Sequence, residues 1–311
     1  MQSAKLPLVS IALCTYNGHR FLKKQLDSLL NQDYSNIEII AVDDRSNDGT
    51  WEILKEYSQK DKRLKPYQNE KNLGYARNFE QAIKLCTGDL IALADQDDIW
   101  ESNKIGVLVN SIGDGILVYH DSDFIDEQGK RIGDNTMASR FKMYHGESAL
   151  PFLLSNCISG HAALFKKELV EFILPFNDAK YHDWWIAYVA FNVGKVKFVD
   201  EVLVHYRQHQ TSITDTLKRR KENAAPKKLK GLDRLSVDQK WLNYCAGFKY
   251  NKEPDLINEA CSLFINLING KGKLRCMIFM MKYFDLLFYI ITYKRKGFVS
   301  RLNFVRKLCF A

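Results

Sequence analysis

The chain has 311 residues, of which 46% are hydrophobic, 26% charged and 12% aromatic, a make-up that excludes the disordered, collagen-like and coiled-coil classes. Its seven cysteines, odd in number and without a C-x-x-C pair, exclude a disulfide framework and a zinc cluster and fit a reducing cytoplasm. The net charge of +8 hides an asymmetry: residues 1–215 carry 24 Lys and Arg against 30 Asp and Glu, and residues 216–311 carry 21 against 7.

A short apolar run opens the chain without the long apolar region or small-residue cleavage site of a signal peptide, so a cytoplasmic protein is expected. LVSIALC (8–14) reads as a strand, and Phe21, Leu22, Leu26, Leu29 and Leu30 then recur at helical spacing. IEIIAVDD from Ile37 is a second buried strand, and Asp48-Gly49-Thr50 opens the helix that follows. Two strand–helix units in succession imply a parallel sheet.

A short strand is expected near Leu64–Gln68, a helix over Asn78–Cys86 and a buried strand over Asp89–Ala94 that ends in acidic residues. Ile116–His120, Ala162–Phe165 and Val196–Val204 read as further strands, Leu150–Leu154 as a short apolar segment and Trp184–Val193 as a helix. His120, Asp121 and Asp123 read as an acceptor-side loop. Beyond Thr216 the chain turns Lys-rich and helical, which sets a boundary at 215. Within that extension, the apolar stretch Cys276–Tyr293 is interrupted by Lys282 and Asp285. It is too short and too charged for a membrane span of about 20 apolar residues and suits an interfacial amphipathic helix.

The strand ends carry the chemistry. In a doubly wound sheet, ligands bind beyond the carboxyl ends of the strands. Here those ends present Thr15-Tyr16-Asn17-Gly18, Asp43-Asp44 and Asp95-Gln96-Asp97-Asp98. Five carboxylates on neighbouring strand ends repel one another unless a cation or several hydrogen-bond donors hold them. An Asp-x-Asp pair puts its first and third side chains on one side of an extended segment, where Mg²⁺ or Mn²⁺ and a phosphate-bearing ligand can be shared. Neither a G-x-x-x-x-G-K-[ST] nor a G-x-G-x-x-G loop is present to cradle phosphates instead.

With VSIALCTYNGHRFLKKQLDSLLNQ, IEIIAVDDRSNDGT, NLGYARNFEQAI, GDLIALADQDDIW and HDWW in order over roughly residues 7–210, the sequence resembles the family 2 glycosyltransferases of the GT-A fold. SNCISGHAALF and YHDWWIAYVA are similar to the rhamnosyltransferase branch. The resemblance implies an α/β GT-A domain over 1–215, Rossmann-like, with a mostly parallel sheet flanked by helices, and a basic helical extension over 216–311.

It further implies that Thr15, Tyr16, Asn17 and Asp43 or Asp44 hold the nucleoside of a nucleotide-sugar, Asp43 being preferred for the base. Asp95 is expected at the ribose and donor sugar, Asn72 and Arg77 near the diphosphate or donor sugar, and Asp97 and His209 at a Mn²⁺ or Mg²⁺ ion. Asp183 matches the catalytic base, with His182, Trp184 and Trp185 on the acceptor side. His161 and His205 are expected to be structural or pocket residues.

Inverting sugar transfer asks for these residue types: a carboxylate to take the acceptor proton and positive charge beside the departing diphosphate. A dTDP- or UDP-sugar donor and a glycan or lipid-linked acceptor in surface polysaccharide assembly are expected. The basic extension is expected to contact an anionic membrane surface, on the inner face of the cytoplasmic membrane, and not nucleic acid. The alternatives are a sugar nucleotidylyltransferase, which lacks support because strand one ends in Thr-Tyr-Asn-Gly and not in a Gly-rich basic loop, and a catalytically silent scaffold recruited by its tail. Asp183 also has a second reading as a helix cap, with the two tryptophans in the core.

Overall fold

The structure is a computed structural model that describes residues 6–209, 235, 237–291 and 297–310. It divides into two units: Met1–Arg140 with Ile158–Phe176 and Lys195–Leu217, and Phe141–Cys157 with Asn177–Gly194 and Lys218–Ala311. A single cut at 215 therefore does not describe the chain, because residues 141–157 and 177–194 group with the C-terminal segment.

The first unit is built on strands β1 (Val9–Thr15), β2 (Ile37–Asp43), β3 (Leu64–Gln68), β4 (Leu90–Ala94), β5 (Ile99–Trp100), β6 (Leu117–Ile125), β7 (Arg131–Thr136), β8 (Ala163–Lys166) and β9 (Val196–Arg207). Its helices are α1 (His19–Leu30), α2 (Thr50–Lys60), α3 (Tyr75–Leu85), α4 (Lys104–Ile112) and the one-turn α5 (Met137–Arg140) and α6 (Val170–Ile173). One sheet runs in the order β3-β2-β1-β4-β8-β6-β9-β5, with β7 on β6.

β3, β2, β1 and β4 are parallel neighbours, whereas β8 enters antiparallel to both β4 and β6. β1, β2 and β4 are buried along their whole length, as continuous apolar runs between helices should be. α1 packs into their core through Leu22, Leu26 and Leu29, one stripe at helical spacing. Because β1, β2 and β4 share one direction and register, Thr15, Asp43 and the residues after Ala94 come out at the same end of the sheet.

β6 corrects one expectation. His120, Asp121 and Asp123 lie on a buried strand and not on an acceptor-side loop. The two carboxylates are paired inside: Asp121 accepts the N–H groups of Ser122 and Ala138 at 2.8 Å each, and Asp123 meets Arg131 and His205.

The second unit contains α7 (His182–Val193), α8 (Gln239–Ala246), α9 (Pro254–Ile268), α10 (Lys273–Lys282), the one-turn α11 (Phe284–Leu287) and α12 (Phe298–Phe310). α7 is apolar all round, so it must be covered on every side. Within this unit Trp185 stacks on Tyr188 and meets Trp241 and Phe248 edge-on, and Tyr188 donates to the Cys245 carbonyl at 3.1 Å and to Asn251 at 2.6 Å.

The stretch from Cys276 is not one interfacial helix. The chain leaves helical geometry at Tyr283, and Cys276, Phe279, Met280, Phe284, Leu287, Phe288 and Ile290 are buried; the stretch's end at Tyr293 lies outside the described residues. Among the described residues no helix is long and apolar enough to cross a membrane.

Candidate active site

The strand ends of the first unit are stitched into one rim. Thr15 Oγ1 donates to Asp43 Oδ1 at 3.0 Å, and the Asp44 N–H reaches the Thr15 carbonyl at 2.8 Å. Gln96, in the loop after β4, clamps the backbone of Tyr16 from both sides: its Oε1 accepts the Tyr16 N–H at 2.8 Å and its Nε2 donates to the Tyr16 carbonyl at 3.0 Å. Asn17 holds the β2 loop in the same way, donating its N–H to Ser46 Oγ at 2.8 Å and accepting the Asn47 N–H at 3.0 Å. Among the described residues, both non-glycine residues with positive φ, Asn17 at 49° and Arg45 at 65°, stand on this rim, where backbone strain is often kept for function.

Asp43 and Asp44 are buried and saturated. Asp43 takes Thr15, the Ser46 N–H and hydroxyl, and Gln68 Nε2 at 2.9 Å. Asp44 takes Asn69 Nδ2 and the N–H groups of Leu73 and Gly74, each at 2.8 Å. Their shown work is to fix the loops after β2 and β3, while the Tyr16 ring is exposed at the edge. Asn72 caps Gly74 N at 3.1 Å within the same loop. Arg77 is engaged on its own helix, 2.5 Å from Glu80.

The acidic loop has a wet and a dry side. On the wet side, Asp97 Oδ2 and His209 Nε2 are 2.6 Å apart, their side chains 15% and 8% exposed. The His209 ring rests on Phe21, centroids 4.9 Å apart. On the dry side, fully buried Asp98 accepts the Arg207 N–H at 3.0 Å. Burial first, and then the charges of Asp97 and Asp95, push its carboxyl well above the usual range.

Beside Asp98 stand His161, whose basicity burial lowers to about 3, and Lys104, which burial drives well below a normal amine. The Lys104 ammonium donates to the His161 carbonyl at 2.6 Å and sits over the Trp100 ring. Arg207, itself buried, donates Nε to the Asp97 carbonyl and Nη1 to the Asp126 carbonyl, 2.6 Å each, and lies over Phe21.

Ligand atoms of Asp95, Asp98 and His161 lie within 4.8 Å of one another. Asp98 and His161 are sealed and share their surroundings with two cationic side chains. Asp97 and His209 reach solvent, and a hard carboxylate with one imidazole is a donor set suited to Mn²⁺ or Mg²⁺. Gln96, Lys104 and Arg207 as the scaffold of this loop are what motif reading missed, whereas Asp98 is read as part of the acidic segment and His161 as a structural or pocket residue; only the spacing of Gln96 inside Asp-x-Asp hinted at the rest.

Asp183 and its neighbours belong to the second unit. The cap of α7 is Tyr181, and Asp183 stands within the first turn, where a negative charge suits the helix's positive end. His182 is buried, which lowers its basicity to about 4. Trp185 is core, and Trp184 donates to the Phe152 carbonyl at 2.6 Å and packs on Trp241.

A half-parallel α/β sheet with an Asp-x-Asp loop at its strand ends defines the GT-A class. Residues 10–174 match the model of the family described as glycosyl transferase family 2, and the chain belongs to that family. Residues 1–349 of TarS from S. aureus, solved with UDP-GlcNAc, superpose with TM-score 0.58 at 16% identity over 96% of this chain and 87% of that one. The mannosyltransferase PcManGT from Pyrobaculum calidifontis, solved with GDP-Man and Mn²⁺, gives 0.50 at 20% identity over 64% and 56%. The Escherichia coli protein WfgD, a UDP-Glc:alpha-D-GlcNAc-diphosphoundecaprenol beta-1,3-glucosyltransferase, is 28% identical over 67% of this chain and 79% of its own. The chain spans about two thirds of the length of the first curated relatives it matches.

Proposed function

We propose that the protein is an inverting glycosyltransferase that moves a sugar from a dTDP- or UDP-sugar to a glycan or lipid-linked acceptor in surface polysaccharide assembly. The observation that carries this is the Asp97–His209 pair at 2.6 Å, set on a rim that Gln96 ties to Tyr16. TarS with UDP-GlcNAc, PcManGT with GDP-Man and WfgD with UDP-Glc all take nucleotide-sugars, which supports the donor class.

Asp97 and His209 would hold Mn²⁺ or Mg²⁺, which supplies positive charge to the departing diphosphate. Thr15, Tyr16 and Asn17 edge the nucleoside position, with Asp43 and Asp44 holding the loops around it. Asp95 would face the ribose and donor sugar, with Asn72 and Arg77 near the diphosphate. Asp183 is assigned the acceptor proton: as the hydroxyl attacks the anomeric carbon opposite the leaving group, a carboxylate must take that proton. His182, Trp184 and Trp185 would line the acceptor side.

The test is a thermal-shift panel of UDP, dTDP, GDP, CDP and ADP with and without Mn²⁺ on wild type and Asp97→Asn, because ligand binding to the native state raises apparent stability. A Mn²⁺-dependent shift with a pyrimidine diphosphate, lost in Asp97→Asn, is expected. Asp183→Asn should keep that shift and lose transfer. No shift with any nucleotide would favour a silent scaffold, and full transfer by Asp183→Asn would remove it as the base.

A further inference from the structure

Among the described residues, eight aliphatic or phenylalanine side chains are exposed large hydrophobics, and six of them, Ile268, Leu274, Ile278, Phe298, Val299 and Phe310, fall in the last 44 residues. They are therefore not the random scatter of single apolar groups that every surface shows. Leu274 and Ile278 are four apart on α10 and share a face, 61% and 60% exposed. Phe298 and Val299, 68% and 77% exposed, open α12, and Phe310, 50% exposed, ends it.

The two helices lie side by side and run in opposite directions. The Lys273 ammonium at the start of α10 lies 5.7 Å over the Phe310 ring, and Met281 and Lys282 at its end share a groove with Phe298 and Arg301. The exposed apolar groups thus stand at both ends of one helix pair, and Arg275 and Lys282 are exposed on the same helix as Leu274 and Ile278.

The charge of this region is one-sided. Residues 271–311 hold ten Lys and Arg and a single acidic residue, Asp285. That carboxylate is spent on Arg301, at 2.8 Å. Apolar side chains without polar partners, framed by cations with no free acid among them, match a surface that offers hydrocarbon beneath negative charge.

We propose that the α10–α12 face docks on an anionic lipid surface, with Leu274, Ile278, Phe298 and Val299 entering the headgroup boundary and Arg275 and Lys282 meeting lipid phosphates. A second copy of the chain is a poor occupant, since a two-fold contact through this face would bring Arg275 and Lys282 of both copies together. Nucleic acid is also a poorer occupant, because three of the four side chains of this set, Leu274, Ile278 and Val299, offer no ring for base stacking. The face differs from the interfacial helix expected over Cys276–Tyr293: most of that stretch is core, and contact falls to its outer edge and to α12.

The test is co-sedimentation of the full chain with vesicles of phosphatidylcholine alone or mixed with phosphatidylglycerol, at low and high salt. Wild type should partition onto the anionic vesicles and stay off the neutral ones, and high salt should release much of it. Ile278→Glu with Phe298→Glu, and separately Arg275→Glu with Lys282→Glu, should each lower partitioning by about tenfold or more. Unchanged melting temperature and circular dichroism in both variants would show that the fold is kept. Equal binding of wild type and the folded variants overturns the proposal. So does a concentration-dependent dimer, seen by analytical ultracentrifugation and abolished by Ile278→Glu with Phe298→Glu, without vesicle binding by wild type. The readout needs no donor or acceptor, so its failure leaves the transferase reading standing.

Discussion

Gly18 is where a single methyl group tests whether the rim is built as described. A Cβ there would lie 2.2 Å from Gln96 Oε1 and 2.5 Å from its Cδ, well inside van der Waals contact. The backbone of Gly18 is unstrained, with φ of −101°, so the obstacle is the amide alone, and the flexible Gln96 side chain must leave. Its two bonds to the Tyr16 backbone go with it. At about 0.5–1.5 kcal/mol net for each neutral hydrogen bond the ceiling is about 3 kcal/mol, and partial exposure, which lets water replace the lost partners, brings the expected loss nearer 1 kcal/mol.

Gly18 is also the N-cap of α1, and glycine to alanine there costs several tenths of a kcal/mol whatever Gln96 does. The two effects separate in a double-mutant cycle of Gly18→Ala and Gln96→Ala followed by urea unfolding. The double variant should cost only the capping increment more than Gln96→Ala alone, leaving a coupling of about 1 kcal/mol. The same four proteins titrated with UDP and Mn²⁺ should show Gly18→Ala and Gln96→Ala weakening binding alike. Full additivity in both readouts would mean that Gln96 does not link the two loops, and the rim as described would be wrong.

Two further outcomes follow from the same network. Arg207→Met keeps the backbone bond to Asp98 but loses the 2.6 Å bonds to the Asp97 and Asp126 carbonyls; removing one partner from a buried charged cluster should cost about 3–5 kcal/mol in urea unfolding, and a loss below about 1 kcal/mol would refute its role as the clamp of the acidic loop. His205 is bonded to Asp123 at 2.7 Å and Glu101 at 2.9 Å, with Arg131 on the far oxygen of Asp123. The Asp123 hydrogen bond, opposed by burial, raises its pKa above 6.5, so its stabilisation is complete below that value and fades as pH rises through the higher folded one. The melting temperature of His205→Gln should therefore lie furthest below wild type near pH 6 and converge on it in alkaline buffer. A gap that does not change with pH would count against the charged form.

How far the sequence could be read depended on how local the cause was. β1, β2 and β4 stand out because burial on both faces demands an unbroken apolar run, and α1 because one stripe must face them. β7 escapes notice because its residues are polar and mostly exposed, and β5 because two residues form no pattern. α4, KIGVLVNSI, is as apolar as a strand and carries a glycine, so its helical state is decided by packing. At the site, the Asp-x-Asp loop is visible as the end of an apolar strand, but Asp97 and His209 are 112 residues apart, and only the family resemblance joins them. Lys104 and Arg207 could not be anticipated: a fully buried cation contradicts the ordinary placement of charge, and its partners are carbonyls, which leave no mark in a sequence.

The expected difficulty of this rim, five carboxylates at adjoining strand ends, is resolved unevenly, and the unevenness points to where a ligand acts. Asp43 and Asp44 are held by hydroxyl, amide and backbone N–H donors, which stabilise a carboxylate without needing a counter-charge. Asp98 is drawn toward its protonated form by burial. The loops after β2 and β3 are thus held by bonds internal to the chain. Asp97 is treated differently: its carbonyl is fixed by Arg207, while its carboxylate turns to His209 at the edge of solvent. Anchoring the backbone and leaving the side chain partly open to solvent is what a group needs when its charge is to be used by something that arrives from outside.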